Sequence, residues 1–122
     1  REILFSSKFV VELDDLNVPS DMVQCVNFID KNKIDVAIND FVVSISDRTY
    51  PILSVIEGNV GRKFTMTIYR FMDNAKFAYK EKYVGCEVIN YFRSSLDHTR
   101  EAEPSQIMLQ IKFDGVSYEA TV

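Results

Sequence analysis

Along most of this chain hydrophobic and polar residues alternate with a period of two, which places successive side chains on opposite faces of extended strands. In FSSKFVVEL, Phe5, Ser7, Phe9, Val11 and Leu13 share one face while Ser6, Lys8, Val10 and Glu12 share the other, so the chain opens on a strand with one wet face. DDLNVPSD then gathers Asp14, Asp15, Asn17, Pro19, Ser20 and Asp21, which set turn dihedrals or hydrogen-bond their own backbone, and the chain reverses. MVQCVNFI, residues 22–29, returns as a second strand, and the polar turn DKNK leads into a β-rich run over 34–46. Val36, Ile38, Phe41, Val42, Val43 and Ile45 cannot all lie on one face of a regular ladder. A bulge near Asn39-Asp40 is expected to reset the phase and bring Phe41, Val43 and Ile45 together.

SDRTYPILSVIEGNVGRK is the least regular stretch. Pro51 cannot donate to a central ladder, and Gly58 and Gly61 around Asn59 invite positive φ, which predicts a loop with a short strand over 52–56. In KFTMTIYRFMDN, Phe64, Met66 and Ile68 face one side and Thr65, Thr67, Tyr69 and Phe71 the other, and the second set is too apolar to stand fully in water. DNAKFAYKEKY predicts the chain's one helix, capped by Asp73 or Asn74 and built on Phe77, Ala78 and Glu81 to Tyr83. YVGCEVINYF reads as the next strand, and RSSLDHTREAEPSQ, closed by Pro104, as a polar hairpin loop. In IMLQIKFDGVSYEATV, Ile107, Leu109, Ile111 and Phe113 alternate with Met108, Gln110, Lys112 and Asp114 before a kink at Asp114-Gly115. Six or seven short strands and one short α-helix, with neither repeat nor linker, predict a single mainly β domain over 1–122, an antiparallel β-barrel or sandwich.

A domain of 122 residues buries roughly two thirds of its unfolded surface and needs no staples. Apolar residues at 47% and charged residues at 26% exclude a disordered or membrane-spanning chain. The net charge of −4, with fourteen basic residues scattered along the chain, disfavours tight nucleic-acid binding, whereas an acidic surface lets a strand pass without sticking. No apolar run has bilayer length and no signal-peptide succession opens the chain, so a reducing, intracellular setting without membrane contact is expected. The Arg1 start and Thr-Val finish leave room for a longer native chain. Cys25 and Cys86 are expected as buried thiols.

Candidate chemistry is sparse. His98 follows Asp97 in the most solvated segment, with no nucleophile that can be placed beside it. Asp14, Asp15 and Asp21 lack the alternating ligands of a calcium loop, and EGNVGRK lacks the lysine and hydroxyl spacing of a phosphate cradle. Neither an enzyme nor a metal or cofactor is expected. What does stand out is a surplus of apolar groups on faces that should be wet: Val10, Val26, Phe28, Val42, Tyr69, Phe71, Ile89 and Tyr91. These either cover a helix or an opposite sheet, or are buried between subunits.

The order of elements resembles that of phage tail tube proteins. SSKFVVELDD with MVQCVNFI is similar to their first hairpin, and KFTMTIYRFMDNAKF to their middle strand, which ends in Asp or Asn and enters a short helix. KYVGCEVINYFRSSLD with PSQIMLQIKFDGVSYE resembles their closing hairpin, in which a Gly-small pair precedes one strand. The chain departs from the commoner members in its short span between helix and Gly-Cys strand and in lacking Trp. The resemblance implies a virion structural protein of a contractile tail, a tube or baseplate subunit assembled in the host cytoplasm. It implies a homo-oligomer of hexameric rings stacked around a channel for DNA, in contact with sheath, tape-measure or baseplate proteins. It places Phe64, Met66, Ile68, Tyr69, Phe71, Met108, Leu109, Ile111 and Phe113 at the assembly interface. The alternative is a monomeric small β-barrel module that holds an apolar ligand or a partner's strand in a discrete pocket lined by Phe and Met.

Overall fold

The computed structural model describes residues 4–14, 16, 18, 20–39, 42–45, 48–72, 76–93 and 105–120. Its strands are β1 (Leu4–Asp14), β2 (Val23–Asp30), β3 (Lys33–Asn39), β4 (Val42–Ile45), β5 (Arg48–Pro51), β6 (Phe64–Met72), β7 (Phe77–Arg93), β8 (Gln106–Lys112) and β9 (Gly115–Ala120). The helix α1 (Ile52–Glu57) lies between β5 and β6, and a 3-10 turn at Ser20–Met22 precedes β2. Seven strands form one antiparallel sheet, curled into a half-barrel, in the order β1-β6-β7-β8-β3-β2 with β9 beside β7. β4 and β5 pair as a separate hairpin.

Period-two alternation builds the core. Val11 and Leu13 of β1 are buried while Val10 and Glu12 are exposed, and the ladder sets Val11 opposite Ile68 and Leu13 opposite Met66. Ile34, Val36 and Ile38 of β3 lie opposite Ile111, Leu109 and Ile107 of β8, and all six are fully buried. Ile52 and Ile56 of α1, with Leu16, Val18 and Met22, complete the same cluster. Each such aliphatic side chain stabilises by about 1.5–3 kcal/mol on burial.

Over its described residues, 76–83, the expected helix is not formed. β7 is instead a single 17-residue strand that merges the helix and the following strand of the sequence reading. Ala, Lys and Glu favour a helix in isolation, but Glu81 and Tyr83 are buried while Lys82 is exposed, and Lys80 and Lys82 pair with Tyr69 and Thr67 of β6. Tertiary pairing outweighs local propensity there. Asp73 and Asn74 lie outside the described residues.

The helix forms instead over Ile52–Glu57, where a short strand is expected. Ile52 and Ile56, four residues apart, share the buried side. The Asn59 amide donates to the Val55 carbonyl at 2.7 Å, and the Gly58 and Asn59 N–H groups donate to Ser54 and Ile56 at 3.2 and 3.0 Å, so the helix end is satisfied.

The 34–46 run is also not one bulged strand. β3 ends at Asn39, and β4 leaves the main sheet to pair with β5, where Val42 opposes Pro51. Asp40 and Phe41 lie outside the described residues, as do Asp97, His98 and Pro104. Cys86 is buried, but Cys25 is exposed, contrary to expectation, because it sits on the outer face of a border strand.

Candidate assembly interface

Among the described strands β9 pairs only with β7 and leaves an open edge there, while β1 pairs only with β6 and β2 only with β3, so the main path of the curled sheet ends in two borders. Those borders face one another. Phe9 of β1, Val26 and Phe28 of β2, and Ile68 and Arg70 of β6 line a groove of about 240 Å³. Phe9, Val10 and Val11 line a neighbouring groove with Ser20, Asp21 and Val23. Val26 and Phe28 lie opposite Val36 and Ile34, whose side chains are fully buried, yet Phe28 is 57% exposed. The inward-facing row simply runs out of cover at the end of the sheet. Val10 at 41% and Ile29 at 58% exposure extend the apolar border. Other exposed apolar side chains are Val84 on one face of the β7–β9 ladder and Val116 and Tyr118 on the other, with Ile89 and Phe92 further along β7. Unpaired borders of this kind are templates for pairing with another chain.

A buried polar cluster sits beside the groove. The Glu81 carboxylate, 5% exposed, accepts hydrogen bonds from the Tyr83 hydroxyl at 2.5 Å and the Tyr79 hydroxyl at 3.0 Å, and Arg70 Nη1 lies 3.6 Å from it. Burial, and then the hydrogen bond to Glu81, push the Tyr83 hydroxyl well above the usual tyrosine range, and the same causes raise Tyr79. Both hydroxyls stay protonated and both carboxylate oxygens are engaged. Through Arg70 such an arrangement ties β6 to β7. Sequence reading missed Glu81 because it fell in the expected helix; Tyr79 and Tyr83, two residues to either side, were the available signal.

The outer face is held by weaker contacts. Tyr69 donates to Glu12 at 3.3 Å, Lys80 lies 3.2 Å from Glu119, and the Gln106 amide donates to Gln24. Tyr91, from the apolar surplus, packs against the core and donates to Glu57 of α1 at 3.3 Å.

The nine residues expected at an assembly interface divide by face. Phe64, Met66, Ile68, Leu109, Ile111 and Phe113 are buried inside the protomer. Tyr69, Phe71 and Met108 are half-buried, Tyr69 and Met108 on the outer face. The grouping of Phe9, Val26, Phe28 and Arg70 depends on which strands end the sheet, and strand order is not written in periodicity.

No protein-family model matches the chain, and no curated protein sequence does. Solved structures match over nearly its whole length. A chain of the PVC sheath-tube complex, from an extracellular contractile injection system in the extended state, gives a TM-score of 0.68 at 12% identity, covering 98% of this chain and 93% of that one. A chain of the cap that terminates the anti-feeding prophage tube gives 0.69 at 12% identity, over 99% and 93%. Hcp1 from Salmonella typhimurium gives 0.62 at 14% identity, over 93% and 85%. At these identities the likeness defines the fold, and the fold is that of tail-tube-like proteins.

Proposed function

We propose that the protein is a structural, non-catalytic tube subunit of a contractile tail or tail-like particle, its 122 residues forming one tube-type barrel domain. The fold correspondence over 98–99% of the chain with chains of a sheath-tube complex and a tube cap carries the proposal. Copies join border to border, so that each supplies strand partners to the β1 or β2 border of the next, closing six-fold rings that stack around a channel. Tyr69, Phe71 and Met108 contribute from the half-buried set, backed by the wall of Phe64, Met66, Ile68, Leu109, Ile111 and Phe113. The net charge of −4 suits a channel that DNA crosses without tight binding. Sheath, tape-measure, cap and baseplate proteins would be neighbours in a virion tail assembled in the host cytoplasm.

Negative-stain imaging of the purified full-length chain across salt and protein concentration tests the proposal: rings or short tubes support it, and monomers under every condition overturn it. The groove between the borders favours a second function, a monomeric module that takes an apolar ligand or a partner's strand. That alternative predicts a monomer whose Phe9 and Phe28 environment changes on binding an apolar probe.

A further inference from the structure

We infer that Gly85 and Asp114 form a fixed joint that sets the angle between the two halves of the curled sheet, and with it the spacing of the β1 and β2 borders. β9 and the adjoining end of β8 run end to end along β7 in one register, with Val88 opposite Ile111, Glu87 opposite Lys112, Val84 opposite Gly115 and Tyr79 opposite Ala120, and the ladder slips only further on, between Val88 and Asn90. No residue is inserted where the ladder crosses from β9 to β8, yet the partners change there. Before the joint β7 is flanked by β6 and β9; after it, β8 takes over and passes the sheet on to β3 and β2.

The joint depends on a glycine. Gly85 has φ of 66°, a left-handed conformation that side-chain-bearing residues rarely adopt. Its missing side chain leaves the space that Asp114 fills: a Cβ there would fall 2.7 Å from Asp114 Cγ and 2.9 Å from Asp114 Cβ. The chain bends at Asp114, whose N–H donates to the Val84 carbonyl at 2.9 Å. The preceding Phe113 N–H donates to the Asn32 carbonyl at 2.9 Å, and its ring meets Tyr83 edge-on at 4.9 Å, so the bend is tied to both halves. Lys63 adds a loose clamp, 3.3 Å from Glu87 and 3.8 Å from Asp114. β1 reaches the joint through β6, and β2 reaches it through β3 and β8, so any change of angle is carried to both borders.

This holds of the protomer; that the angle also decides whether a ring closes rests on the tube proposal. The test is a spin-label distance measured between Cys25 and a Lys82→Cys label, with labelled chains diluted into unlabelled full-length protein so that only distances within one protomer are read. Both sites are exposed, on opposite sides of the joint, and buried Cys86 stays unlabelled. The parent should give one narrow distribution. Gly85→Ala should shift its mean, and Asp114→Ala, which empties the space without straining the backbone, should widen it. Unchanged distributions in variants with native circular dichroism overturn the inference, and if Gly85→Ala does not fold, Asp114→Ala decides alone. Unchanged distances in a chain that still forms rings defeat the joint and spare the tube; shifted distances in a chain that stays monomeric do the reverse.

Discussion

Glu81 shows how much of this fold is decided by single side chains. A carboxylate taken out of water loses hydration that only close donors restore, and Tyr83, Tyr79 and Arg70 are those donors. Glu81→Ala strands two hydroxyls and a largely buried guanidinium, and should cost about 1–3 kcal/mol for each donor left without a replacement partner. Urea unfolding of the variant, compared with Glu81→Gln, measures that loss. Cys86 gives a pH signature. Burial pushes its thiol from 9.0 up to about 11, so the folded protein holds a proton that the unfolded chain releases between those values. Stability is therefore whole below pH 9 and falls as pH rises toward 11, by on the order of 2 kcal/mol from this group, with Tyr83 acting in the same direction once the pH passes its ordinary value of 10.0. Unfolding curves at pH 8 and 10.5 should show the drop, and Cys86→Ala should shrink it, leaving the smaller part due to the tyrosines, even if its baseline is lower.

At the scale of elements, most strands were legible and the helix was not. β1, β2, β6 and β8 follow from alternation that any buried face imposes, and the kink at Asp114-Gly115 was visible as a turn pair. The second part of β7, YVGCEVINYF, was legible as a strand, but its first part was hidden because Tyr79 and Tyr83 suit a spacing of four as well as one of two, and Lys and Glu disguised a strand as a helix. α1 was hidden for the opposite reason: Ile52, Val55 and Ile56 are β-branched, and only packing of Ile52 and Ile56 into the core makes a helix of them. Such a short helix leans on its cap. Asn59→Ala removes the amide that the Val55 carbonyl accepts from and should lower stability by about 1–2 kcal/mol in thermal or chemical unfolding, with little change in the β-sheet signal.

At the scale of the whole molecule, the candidate interface was half legible. The surplus of apolar residues announced that something must cover them, and Val10, Val26 and Phe28 were in that set. Strand order then decided how much stayed uncovered: Val26 packs against the core from its border strand, as Tyr91 does from β7, whereas Val10 and Phe28, with a strand neighbour on one side only, stay exposed. The central claim is that these borders are completed by other copies. Sedimentation of the full-length chain over a wide concentration range, beside a Phe28→Glu variant, tests it most directly. The parent should sediment as a ring-sized oligomer and the variant as a monomer of unchanged unfolding temperature; a parent that stays monomeric at every concentration, or a variant that assembles as well as the parent, would contradict it.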